Sequence, residues 1–139
     1  MKRTIAAFGA AAAVALGVVG TAPTASAADG WCSRTVEVTR NGYRAAVPAT
    51  AGGSTSCVMG RGSSGSQVEA LQFALSICND LYLSSDGSYG PQTEAAVRTV
   101  QSRNNLSADG VYGPNTRNAT SWRWYPVDWS ANNPVCARF

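Results

Sequence analysis

Residues Asp86-Gly87-Ser88-Tyr89-Gly90-Pro91-Gln92-Thr93 (DGSYGPQT) return 23 positions later as Asp109-Gly110-Val111-Tyr112-Gly113-Pro114-Asn115-Thr116 (DGVYGPNT). Six of the eight positions agree, and Gln92 against Asn115 exchanges one amide for another. A segment used twice points to one supersecondary unit built twice. Each copy reads as a tight turn that launches a helix. Asp-Gly supplies a side chain that bonds the backbone just ahead and a residue free to take positive φ. Proline fits the first helical position, where its missing N–H would have lacked a partner anyway.

Working outward, the segment Ser66–Asn79 carries Val68, Leu71, Leu75 and Cys78 at helical spacing. Ser66 with Glu69 has the form of a capping box at its start. Phe73 and Ile77 leave that stripe and are expected to meet the parts of the chain that flank the bundle. Leu81-Tyr82-Leu83 is a short apolar run feeding the first box. A second helix is expected from about Pro91 to Arg103, with Ala96, Val97 and Val100 inward and Glu94–Arg98 as an exposed i,i+4 pair. A third is expected from about Pro114 to Trp122, with Ala119 and Trp122 inward. Helices this short need packing to persist.

The order GSSGSQVEALQ (62–72), DGSYGPQTEAAVRTVQ (86–101), then LSA (106–108) and DGVYGPNT (109–116) resembles the bacterial peptidoglycan-binding domain. The resemblance covers about residues 57–124. It implies a mainly α fold: a compact three-helix bundle with two DGxYGPxT turn-helix repeats. Peptidoglycan is the implied partner, with no cofactor and no metal. Val100 stands where the family commonly has an aromatic. Gln72 and Gln101 match the family's Gln positions and are read as bonding loop backbone.

The rest of the chain frames that module. Met1-Lys2-Arg3, an uncharged run rich in Ala and Val, and Ala25-Ser26-Ala27 have the three parts of a secretory signal peptide, residues 1–27. After it, Arg34–Arg40 alternates polar and β-branched residues, Asn41-Gly42 follows, and Tyr43–Pro48 continues. That pattern predicts a β-hairpin. Residues 49–56, rich in Gly, Ser and Thr, read as a linker. The expected organisation is therefore a hairpin extension with linker (28–56), the module (57–124) and a tail (125–139). Trp122–Trp129 holds four of the twelve aromatic residues.

Cys32, Cys57, Cys78 and Cys136 make an even count in a short exported chain, which implies two disulfides. Three connectivities are open. The pairing Cys32–Cys57 with Cys78–Cys136 would staple the extension to the module and the tail to the first helix. Without Lys2 and Arg3, nine arginines face eight acidic residues, a net charge of +1. So small and scattered a charge supplies no field for nucleic acid. A monomer with no stable membrane association after cleavage is expected, secreted or held at the wall.

The sequence contains no histidine, which removes Ser-His-Asp and Cys-His catalysis and the usual zinc sites. Asp86 and Asp109 each precede a turn glycine, so closing the turn explains both better than glycoside hydrolysis does. A non-catalytic binding protein follows. Its rivals are an interaction or inhibitor protein on the same scaffold and, less favoured, a small wall-degrading enzyme. A wall ligand calls for rings with a polar end, amides and arginine. The candidates are Tyr89 and Tyr112, Gln92 and Asn115, Arg98 and Arg117, with Trp124 (beside Trp129) as a sugar-stacking face; for the two tyrosines closing the small core is the stronger reading, and the tail tryptophans serve equally as a hydrophobic strap held by Cys136. The expected surface lies between helices two and three.

Overall fold

The computed structural model describes residues 28–128 and 133–139. The signal-peptide reading of residues 1–27 and the stacking role for Trp129 lie outside them. In chain order the elements are β1 (Arg34–Arg40), β2 (Tyr43–Ala49), α1 (Ser66–Cys78), α2 (Pro91–Arg103), α3 (Pro114–Ala119), β3 (Ser121–Pro126) and β4 (Val135–Arg138).

The hairpin forms where Asn-Gly predicts it. Asn41 and Gly42 have φ of 51° and 77°, as a tight turn of this type requires, and Arg40 pairs Tyr43. Beyond it, the expected mainly α bundle is corrected. The four strands form one antiparallel sheet in the order β1-β2-β3-β4, against helices of 13, 13 and 6 residues. The hairpin and the tail are edges of that sheet rather than appendages. The third helix stops at Ala119, because Thr120 turns extended at ψ 134° and its hydroxyl donates back to the Thr116 carbonyl (2.7 Å). Trp122 and Trp124 then alternate with exposed Tyr125 and half-buried Ser121 and Arg123, a period of two rather than a helical end.

Local details differ in the same way. Ser66 is the first helical residue, and the cap is Gly65 at φ 125°, with no side-chain cap bond, so the Ser66–Glu69 capping box does not form. The positive φ is what calls for glycine at 65. Residues 50–54 form a hydrogen-bonded turn, in which Thr50 N–H donates to Ser54 O (2.8 Å) and Ser54 N–H to Thr50 Oγ1 (3.1 Å).

One core joins all the elements. Val68, Leu71 and Leu75 of α1 and Val97 and Val100 of α2 are buried with Val47 of β2, Met59, Tyr89, Tyr112, Trp122 and Trp124. Asn79 reaches from the end of α1 to the start of β3, donating to Ser121 O (2.9 Å) and accepting from Ser121 N–H (3.1 Å). The disulfides are Cys32–Cys57 and Cys78–Cys136. The second fastens β4 to the last residue of α1. In the chain-entropy picture, closing loops of 25 and 58 residues is worth about 3–4 kcal/mol each.

Tyr89 and Tyr112 occupy the same place in the two boxes and differ at one atom. Tyr89 Oη donates to Gly110 O at 2.7 Å, whereas Tyr112 Oη is buried with no partner among the described residues. Burial holds both phenols well above their ordinary value of 10.0, with the Glu94 charge adding to the effect at Tyr89. Because burying an unpaired hydroxyl costs about 1–3 kcal/mol, Tyr112→Phe should leave stability unchanged or raise it by about 1 kcal/mol. Tyr89→Phe should lower it by about 1 kcal/mol, and urea unfolding of the two variants checks both. In the folded state the raised phenols keep their protons while the unfolded chain loses them above pH 10. Stability is therefore intact below about pH 10 and falls above it, by up to about 1.4 kcal/mol per pH unit for each tyrosine, in an alkaline unfolding series.

Candidate functional site

Each box is closed by a glutamine from the preceding helix. Gln72 Nε2 donates to Asp86 Oδ1 (3.0 Å), Ser88 O (2.9 Å) and Thr93 Oγ1 (3.0 Å), while its Oε1 accepts from Gly87 N–H (2.9 Å). Gln101 Nε2 donates to Asp109 Oδ1 (2.9 Å), Val111 O (2.9 Å) and Thr116 Oγ1 (3.1 Å), and its Oε1 accepts from Gly110 N–H (2.9 Å). The same Asp oxygens also accept from the amides two residues on, Ser88 and Val111, at 2.9 Å. Asp86 is held below the usual carboxylate range, first by the Ser88 amide and then by the Gln72 side chain. Both aspartates are turn-closers.

Beside each closed box lies an open hollow, and the two are lined by corresponding residues. The first, about 420 Å³, is bounded by Gln72, Leu83, Asp86, Pro91, Gln92 and Thr93. The second, about 260 Å³, is bounded by Gln101, Leu106, Asp109, Pro114, Asn115 and Thr116. Each offers an apolar wall from leucine, a carboxylate, a serine hydroxyl from Ser84 or Ser107, and an exposed amide at the lip. Such a set suits a neutral ligand rich in hydroxyls and amides. On the far side of Gln92 a further depression runs past Leu83 to the fully exposed ring of Tyr82.

Of the candidates read from sequence, only Gln92 and Asn115 stand at these hollows. Tyr89 and Tyr112 are 2% and 0% exposed and belong to the core, because a small domain needs their rings there. Trp124 is buried too: its Nε1–H donates to Ala137 O (3.0 Å) and Arg40 lies over its ring at 4.7 Å, so it is no stacking face. Arg98 donates to Ala108 O (3.0 Å) and pairs with Glu94 (3.1 Å), as its i,i+4 spacing predicts. Arg117 donates to Thr55 Oγ1 (2.9 Å) and to Asn118 Oδ1, and stacks over Phe139 at 4.3 Å. Both arginines brace loops. Leu83, Leu106, Ser84, Ser107 and Tyr82 were missed as lining residues. The signal was available: the 23-residue offset extends upstream, matching Leu83-Ser84-Ser85-Asp86 with Leu106-Ser107-Ala108-Asp109.

Residues 64–119, which hold both boxes and all the lining of both hollows but Val58, match a family model described as a putative peptidoglycan binding domain. That segment is a peptidoglycan-binding domain of this family. Among solved structures, the domain is similar to the SleB N-terminal domain at 34% identity, over 44% of this chain and 84% of that one, TM-score 0.42. A fused zinc-dependent amidase/peptidase/peptidoglycan-binding-domain protein from Clostridium acetobutylicum matches at 38% identity over 44% of this chain and 27% of its own, TM-score 0.42. A peptidoglycan-binding protein from Clostridioides difficile, in complex with glutamine hydroxamate, matches at 28% identity over 59% and 53%, TM-score 0.47. The chain thus spans about a quarter and about half of the length of those last two. No curated protein matches it.

The buried glutamines carry the turns. Gln101→Ala removes four hydrogen bonds and strands the buried Gly110 N–H, a loss of about 2–4 kcal/mol by urea unfolding. The exposed lip variant Gln92→Ala, by contrast, should stay within about 0.5 kcal/mol of wild type.

Proposed function

We propose that this protein is exported and holds peptidoglycan non-catalytically, with the twin hollows of the domain as its contact points. The observation that carries the reading is their correspondence: residue for residue, the same leucine, carboxylate and amide recur inside the segment that matches the family. A polymer of amino sugars and short peptides presents the hydroxyls and amides such hollows accept. The lack of any histidine in the sequence supports a binding rather than a hydrolytic role. Two disulfides, and the basic and apolar start ending in Ala25-Ser26-Ala27, support export and a place at the cell wall. Among the described residues no helix is long and apolar enough to cross a membrane.

Sedimentation with purified insoluble wall tests the proposal. The mature protein should leave the supernatant at low salt. The double variant Gln92→Ala/Asn115→Ala should bind about tenfold more weakly, at unchanged melting temperature, since it removes two exposed amides worth about 1 kcal/mol or less each. Wild-type protein that stays in the supernatant refutes wall binding. Release of soluble muropeptides by the pure protein refutes its non-catalytic character.

A further inference from the structure

A third hollow, of about 300 Å³, lies where α1 meets the sheet, bounded by Glu69, Ala70 and Phe73 on the helix and by Trp122, Arg123 and Tyr125 on β3. Its two walls have different origins. The helix belongs to the matched segment 64–119, whereas β3 lies beyond it, so the family segment alone does not build this site. Phe73 and Tyr125 leave 40% and 43% of their surface open at its mouth, over the buried Trp122. Two large rings held half in solvent on facing elements are costly to leave uncovered.

The charges are the second observation. Glu69 on one wall and Arg123 on the other line the same hollow without pairing with each other. Among the described residues the Glu69 carboxylate makes no hydrogen bond or ion pair, and the Arg123 guanidinium reaches only Cys136 Sγ, at 3.9 Å. A carboxylate and a guanidinium, set apart and facing one apolar space, complement a ligand that carries both charges on an apolar body. We propose that this hollow binds a small zwitterion, an amino acid or a short peptide with free ends. Its ammonium lies toward Glu69, its carboxylate toward Arg123, and its aliphatic body against Phe73 and Tyr125. The site is separate from the twin hollows, and its occupancy does not depend on wall binding there.

Alanyl-alanine with both ends free is the probe, followed by amide chemical shifts of the full mature chain. Shifts should concentrate at residues 69–74 and 122–125 and leave Gln92 and Asn115 still. N-acetylation or C-amidation of the dipeptide should each weaken binding at least tenfold. Glu69→Gln should erase the penalty for acetylation, and Arg123→Gln the penalty for amidation, each leaving the other intact. Tighter binding of the D,D dipeptide than the L,L form would mark free fragments of D-amino acids, such as those released from wall peptides, as the source. The reverse order would mark an ordinary peptide, with the zwitterion site standing in either case. Capped dipeptides that bind as well as the free one, or shifts that gather at the twin hollows, overturn the proposal.

Discussion

One side-chain amide per turn holds this domain in shape. The loop before α2 must fold back on α1, and the loop before α3 on α2, and in both places the tight turn leaves a backbone N–H and a carbonyl facing inward. Gln72 and Gln101 answer both from one side chain, accepting the glycine N–H and donating to the carbonyl of the next residue. The remaining donor capacity goes to an aspartate and a threonine. No other side chain offers that combination at that length: a glutamate would face the aspartate charge, and a leucine would leave the turn unpaired. Each helix is thereby committed to the start of the next.

The remaining architecture follows from those two closed turns. Because the first box is fixed against α1, Tyr89 reaches across to the Gly110 carbonyl of the second, and the backbone of Tyr112 pairs with Met59 on both sides. Gly110 sits at φ 74° where a β-carbon would meet Glu94 Cγ at 2.5 Å and Arg98 Nε at 3.0 Å, so the second turn presses directly on α2. Helices this few and short enclose little apolar volume. The sheet supplies what they lack: β2 and β3 bring Val47, Trp122 and Trp124 into the same core, and the disulfides fasten the two outer pieces of chain.

Much of this could be read from the residues alone, and what could not has a physical cause. The turn-helix starts were legible because Asp-Gly and Gly-Pro impose backbone geometry locally. The hairpin was legible because Asn-Gly does the same. The third helix is shorter than its sequence suggests because Thr120, Ser121 and Trp122 are tolerated in either state, and what decides is pairing with β4, a partner 11 to 17 residues away. The period of two in Trp122-Arg123-Trp124-Tyr125 was present but competed with an expected helical end. Likewise, Ser66 has the chemistry of a cap but not the place, since Gly65 alone can hold φ 125° there. For the site, residue type proved a weaker guide than duplication. Tyrosine, tryptophan and arginine have the right chemistry for a wall ligand, yet a domain this small spends its rings and guanidinium groups on its own core and loops.

The positions of the hollows give the binding reading its reach. Both open along α2: Thr93 lines one near its start and Gln101 the other near its end, eight residues on. At 1.5 Å per residue that sets them about 12 Å apart on a rigid axis, with each end pinned by a glutamine network. If both hollows make contact as proposed, two similar sites at fixed separation favour a ligand that repeats over one that does not, because the second contact forms at high effective concentration once the first is made. A polymer network meets that condition and a free monomer does not. On the proposed reading, affinity for the wall needs no deep pocket, only two shallow ones that cannot drift apart, and the stiffness of the turns is what keeps that spacing.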